Sequence, residues 1–300
     1  MSAKTGGKLL DDVRRIMRLK HYSIHTERIY CDWVKQYIKF HKMTDKQALL
    51  ISPETKVESF LSYLAVHRKV AVSTQNQAMN ALVYLYKHVL NHPLEKTIDA
   101  VRSTKNKKIP VVLTQSEVKD IIVLLEGVSQ LVVKIMYGSG LRITEAVRLR
   151  VQDVDFDYKQ ITVRSGKGNK DRVTPLSSSL FPPIKTHLQR VNLIHDKDLS
   201  DGYGAVYLPY ALNKKYPNAE KEWGWQYIFP ARSLALDPRS NVVRRHHLDQ
   251  SSVNKAIKVA VKKLNINKRV SAHTFRHNAE CQIMPNSKFS FHSSTVLSWG

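Results

Sequence analysis

GSGLRITEAVRL, residues 138–149, joins a turn, a cation and a helix start within a short span. Gly138 and Gly140 allow a tight turn, and Arg142 then stands where a helix begins. A cation beside the free N–H groups of a helix start favours a phosphate. The plainer alternative is a surface arginine pairing with Glu145, three residues on.

Two further segments add chemistry on the C-terminal side. RSGKGNKDRVTPL, residues 164–176, has hairpin composition, with Lys167 between Gly166 and Gly168 at its tip. Lysine suits protonation of a leaving oxygen, since its pKa falls on burial or beside other cations. A polar turn is the bland alternative, and the spacing is not that of a nucleotide-binding P-loop. AHTFRH, residues 272–277, puts His273, Arg276 and His277 on one face if helical. His273 and His277 have metal-ligand spacing, yet Arg276 between them would repel a cation and no glutamate is interleaved. A phosphate fits better, gripped by a bidentate guanidinium with a histidine as a further donor.

Around these segments the chain divides. Thr114 and Glu117 form a capping box ahead of the stripe Val118, Ile121, Ile122, Leu125. Short strands are expected around 154–156, 160–164 and 172–176, and a helix carrying Val253, Ile257, Ala260, Val261 and Leu264. Residues 191–236 read as a long, irregular, aromatic-rich stretch. Residues 102–111 lack periodicity, are rich in cations and contain Pro110, as a linker does. Residues 1–101 read as helices, with Ser23 and Ser73 as caps and stripes at Ile29/Trp33/Tyr37/Phe40, Val57/Phe60/Leu61/Leu64 and Ala78/Leu82/Leu85/Val89. The expected fold is an α-helical N-terminal domain plus an α+β domain over 112–277, mostly helical with a small antiparallel sheet.

Charge narrows the partner. Lys and Arg number 48 against 25 Asp and Glu, a net charge of +23. So cationic a body implies an anionic partner, with nucleic acid ahead of an anionic membrane surface. No apolar stretch approaches the roughly 18 residues of a membrane span, and no secretory segment is evident, so the expected location is cytoplasmic. Cys31 and Cys281 are too few for a disulfide framework or a zinc cluster.

A GLRxxE turn, a lysine on a hairpin 25 residues later and an HxxRH helix resemble, in that order, the tyrosine recombinases of the phage integrase family. LPYALNKKYPNAEKEWGWQYIFPARSL, 208–234, with His246 and His247 after it, resembles the insert of the integron integrase branch. The resemblance implies a core-binding, SAM-like domain over 1–101 and a catalytic domain over 112–277 with the insert at about 191–236. It implies that Arg142 and Arg276 clamp the scissile phosphate, His273 assists proton transfer and Lys167 protonates the departing 5′ oxygen. No metal or nucleotide cofactor is implied. The implied partners are DNA, duplex and folded single-stranded attachment sites, and further copies of the chain in a tetramer on that DNA; the implied location is the bacterial cytoplasm, on the nucleoid. Trp223, Trp225, Tyr227, His246 and His247 suit unpaired bases, because aromatic faces stack on them at about 1–3 kcal/mol each; a satellite core is the alternative.

After residue 277 the pattern breaks. NAECQIMPNSKFSFHSSTVLSWG, 278–300, has Pro285 followed by a serine-rich run, and no tyrosine follows Tyr227. The expectation is a divergent tail and a protein defective in strand cleavage, since a lost covalent nucleophile removes the two-step chemistry. A non-catalytic DNA-binding remnant occupying recombination sites is the alternative function. A metal-dependent hydrolase on His246, His247, His273 and His277 lacks nearby carboxylates.

Overall fold

The computed structural model describes residues 3–95, 97–103, 111–164, 170–208, 212–238 and 240–283. Two compact units follow one another, Met1–Lys108 and Ile109–Gly300.

The first unit is helical: α1 (Ala3–Leu19), α2 (Ile24–Phe40), α3 (Pro53–Val66) and α4 (Val72–Tyr84), the last continued by a π-helical turn over Leu85–Val89. Ser23 caps α2, its hydroxyl accepting from the Thr26 N–H at 3.1 Å. Ser73 does not cap α4. The helix starts one residue earlier, behind Ala71, which has no side chain to accept a bond. All four residues of the stripes at 57–64 and 78–89 are buried, as are Trp33 and Tyr37. Phe40, the last residue of α2, is 36% exposed and packs at the margin of the core against Phe60 and Tyr63. Glu54, Glu58 and Ser62, spaced one turn apart on α3, accept the N–H groups of Glu95, Asp99 and Val101. That row of acceptors lays the segment leaving the unit along α3.

The second unit is mixed. α5 (Gln115–Leu124) opens on the expected capping box: Thr114 N–H donates to Glu117 Oε2 at 2.7 Å and Glu117 N–H to Thr114 Oγ1 at 3.1 Å. α6 (Gly127–Ser139) runs through the centre, with Val132, Val133, Ile135 and Met136 buried. It stops at Gly140, whose φ of +62° is the left-handed value that glycine adopts at least cost. α7 (Ile143–Val147) follows. β1 (Val154–Asp155), β2 (Gln160–Val163) and β3 (Arg172–Pro175) make a three-stranded antiparallel sheet in chain order, with Val163 opposite Arg172. Then come α8 (Phe181–Ser200), α9 (Leu212–Lys215), the two-residue strands β4 (Ala235–Leu236) and β5 (Val243–Arg244), α10 (Gln250–Lys263) and α11 (Ala272–Ile283). Val253 and Ile257 of α10 and Phe275 of α11 close the core against α6.

The observed architecture is therefore a helical unit followed by a mostly helical unit with small antiparallel sheets. Two sheets form rather than the single one expected, and residues 191–200 are not irregular. They are the second half of α8, whose inward positions Ile184, Val191, His195 and Asp198 mix apolar and polar side chains and so hide the helical period. Pro182 and Pro183 sit in its first turn, where proline starts a helix instead of breaking one.

Candidate active site

The GSGLR turn, the hairpin and α11 meet at one carboxylate. Glu145, in α7, has only 8% of its side chain exposed. Its Oε2 accepts the Arg142 N–H at 2.8 Å, and its Oε1 the Arg142 Nη1–H at 2.9 Å. Arg172 at the start of β3 forks onto both oxygens, Nη1 to Oε1 at 3.0 Å and Nη2 to Oε2 at 2.6 Å. Arg276 on α11 brings Nη1 within 3.9 Å of Oε2. Three guanidinium groups around one carboxylate leave a local excess of positive charge. Arg142 and Arg172 remain about one-third exposed, at 33% and 35%, and Arg276 is 13% exposed.

Burial pushes the Glu145 carboxyl upward, but the Arg172 fork and the two Arg142 bonds outweigh it and hold the group at about 2. Glu145 is therefore a fixed anion that aligns cations rather than a proton carrier. The pairing of Arg142 with Glu145 is real, and it belongs to a cluster rather than to an isolated surface contact. α7 has five residues, too few to supply a useful helix-terminal field, so the anion-attracting charge here comes from side chains.

Arg142 and Arg276, 134 residues apart, are thus brought onto one group. His273 precedes Arg276 by one turn of α11, and its ring meets that of His277 edge to face at 4.4 Å. Lys167 lies outside the described residues; the strand ends that lead to it, Val163 and Arg172, are paired. Arg172 was not singled out by the sequence. The signal was strand alternation: Arg172 and Thr174 share a face of β3, and Thr174 Oγ1 donates to the Ser139 carbonyl at 2.7 Å beside the same turn. Among the described residues no group of three or more His, Cys, Asp or Glu is placed to hold a metal ion.

The aromatic candidates lie together in a second region. Trp223 and Trp225 stand in a 3₁₀ turn and are half-buried. Tyr227 is buried in a small cluster with Val206, Leu208 and Ala219, with Trp225 packed against its edge. His247 meets the Tyr227 ring edge-on at 5.4 Å, and Trp223 lies 5.9 Å from His195 of α8. His246 and His247 are half-buried and directly follow Arg244 and Arg245. Burial pushes the His247 imidazole down and its bond to the Leu248 carbonyl pushes it up. Nearby Arg148 and His246 add to the downward pull, so the ring favours its neutral form.

Comparison with known proteins identifies the class. Residues 9–96 match the phage integrase N-terminal SAM-like domain, and residues 111–292 match the phage integrase family. An integrase/recombinase of Escherichia coli is 42% identical over 271 residues, 90% of this chain and 80% of that one. The tyrosine recombinase XerA of Thermococcus onnurineus is 29% identical over 187 residues, 61% of this chain and 62% of that one. Among solved structures, the Tn1549 transposon integrase in complex with transposon right end DNA aligns with a TM-score of 0.55 at 14% identity, covering 94% of this chain and 88% of that one. XerH bound to palindromic difH substrate gives 0.52 at 16% identity, covering 88% and 70%. The chain belongs to the phage integrase family, the site-specific tyrosine recombinases. The family match extends beyond His277 to residue 292.

Proposed function

We propose that this protein is an integrase of the integron branch, acting on folded single-stranded attachment sites as well as duplex DNA in the bacterial cytoplasm, on the nucleoid. The observation that carries the active-site assignment is the gathering of Arg142, Arg172 and Arg276 on Glu145. A pentacoordinate phosphorane gains charge on its nonbridging oxygens, and several fixed donors aimed at one point stabilise it. Arg142 and Arg276 hold those oxygens, and His273 assists the proton transfers. Lys167 is the proton donor for the departing 5′ oxygen. In that cleavage step a tyrosine oxygen, losing its own proton, bonds to phosphorus as the bond to the 5′ oxygen breaks. The attacking tyrosine is not assigned among these 300 residues. No metal or nucleotide is required for these roles. The chain would work as a tetramer on its DNA.

Trp223 and Trp225 of the insert, with His246 and His247 after it, support the branch assignment, since their partly exposed rings suit an unpaired base. Tyr227, being buried, backs this surface instead of facing DNA. The proposed domain limits are 1–101, a linker at 102–111, 112–277 with the insert at about 191–236, and a divergent segment over 278–300. No tyrosine follows Tyr227 in these 300 residues, so a polypeptide made of them is expected to occupy sites and clamp phosphate without forming a phosphotyrosyl bond.

Two experiments test this. Competition between a hairpin with bulged bases and a plain duplex of equal length should favour the hairpin, and Trp225→Ala should erase that preference while sparing duplex binding. Equal losses on both substrates would assign these rings to the core. A suicide substrate nicked near the exchange point should give no SDS-resistant, gel-shifted band with the 300-residue polypeptide. A band lost on mutating one internal tyrosine would identify a nucleophile and refute the non-cleaving assignment.

A further inference from the structure

Three buried or nearly buried arginines pin the region of the insert, and one of them differs from the others. Arg244 pairs with Glu220, and Arg245 forks onto Asp198, so both charges are neutralised by carboxylates. Arg150 is 7% exposed, and among the described residues none of its guanidinium hydrogen bonds goes to an acid. Nη1 donates to the Trp225 carbonyl, and Nη2 to the Tyr207 carbonyl at 2.7 Å, with the Tyr227 hydroxyl at 3.4 Å. The guanidinium carbon lies 4.6 Å from the centre of the Tyr227 ring and 5.5 Å from that of Trp225. Its own backbone N–H is fixed on Asp153 Oδ2 at 2.9 Å, and Arg150 bridges Tyr227 in an antiparallel pair.

A buried cation is costly unless its surroundings replace water. Here two carbonyls and two aromatic faces do so, and in return they lose freedom. The planar fork sets the Trp225 backbone, and the charge draws the Trp225 and Tyr227 rings toward it. We propose that Arg150 is the positioning residue of the base-reading surface: it holds Trp225 and its neighbours in the arrangement that receives an extrahelical base, without touching DNA itself. This rests on the assignment of the insert to unpaired bases made above.

The test uses Arg150→Lys, which keeps the charge and loses the fork, and Arg150→Met, which keeps the volume and loses both. Replacing a buried ion by an apolar group of similar size is commonly tolerated, so the second variant is expected to fold. The probes are a DNA hairpin carrying one bulged 2-aminopurine and the matching duplex without a bulge. Both variants should bind the hairpin at least about tenfold more weakly while duplex binding stays within about twofold, a factor of ten corresponding to 1.4 kcal/mol. The quenching of 2-aminopurine that accompanies stacking on the wild-type protein should disappear. Parallel losses on hairpin and duplex, or a lowered melting temperature in both variants, would make Arg150 a general core residue and overturn the inference. So would unchanged hairpin binding. Trp225→Ala run alongside separates the two levels. If it leaves the hairpin preference intact, base reading by the insert fails; if it erases the preference and the Arg150 variants do not, only the role of Arg150 fails.

Discussion

Glu145 decides the behaviour of the active-site candidate at the scale of single residues. Its carboxyl lies at about 2 in the folded protein against an ordinary 4.5, so the ion cluster contributes stability that is fully present above pH 4.5. That contribution, on the order of 3 kcal/mol, is lost as pH falls from 4.5 toward 2. Urea denaturation at pH 6 and pH 3 should show a large loss for the wild type and a much smaller one for Glu145→Gln. An equal loss in both would mean that other carboxylates set the acid sensitivity. Arg172→Lys should weaken the cluster, because an ammonium cannot fork onto both carboxylate oxygens. Arg142 and Arg276 were legible in the sequence because the GLRxxE and HxxRH motifs that carry them resemble those of the family. Arg172 was not, since its partner is 27 residues away across a hairpin and only the fold brings them together.

Among the elements, those with strong local signals were the legible ones. The capping box at Thr114 and Glu117, the stripes of α3 and α4 and the β2 and β3 strands are all written in neighbouring residues. Thr114→Ala should cost about 1 kcal/mol in denaturant titration, the usual loss for an N-cap hydroxyl; no change would mean that water or a neighbouring group replaces the bond. α8 was half hidden because His195 and Asp198 take core positions, Asp198 being held by Arg245. The insert was legible as aromatic and irregular but not in its wiring. Its anchors, Arg150, Arg244 and Arg245, bond to carbonyls and carboxylates distant in sequence, and no spacing rule exposes such pairs.

For the whole molecule, two units and a charge of +23 describe a protein that meets an extended anion. No helix among the described residues is long and apolar enough to cross a membrane. DNA affinity should fall steeply with salt, each neutralised duplex phosphate contributing about −0.9 to the log–log slope. A flat salt dependence over 50–200 mM, measured by fluorescence anisotropy, would contradict a phosphate-led interface. The proposed active site has a narrower consequence, that Arg142 and Arg276 grip one particular phosphate. The direct measurement places a single neutral methylphosphonate at the exchange position of an attachment site and compares wild type with Arg276→Ala. Charge-assisted bonds to that phosphate predict a loss of about tenfold or more for the wild type and little further loss for the variant. Equal losses in the two proteins, or none in the wild type, would show that the three arginines on Glu145 hold a structural carboxylate and nothing else.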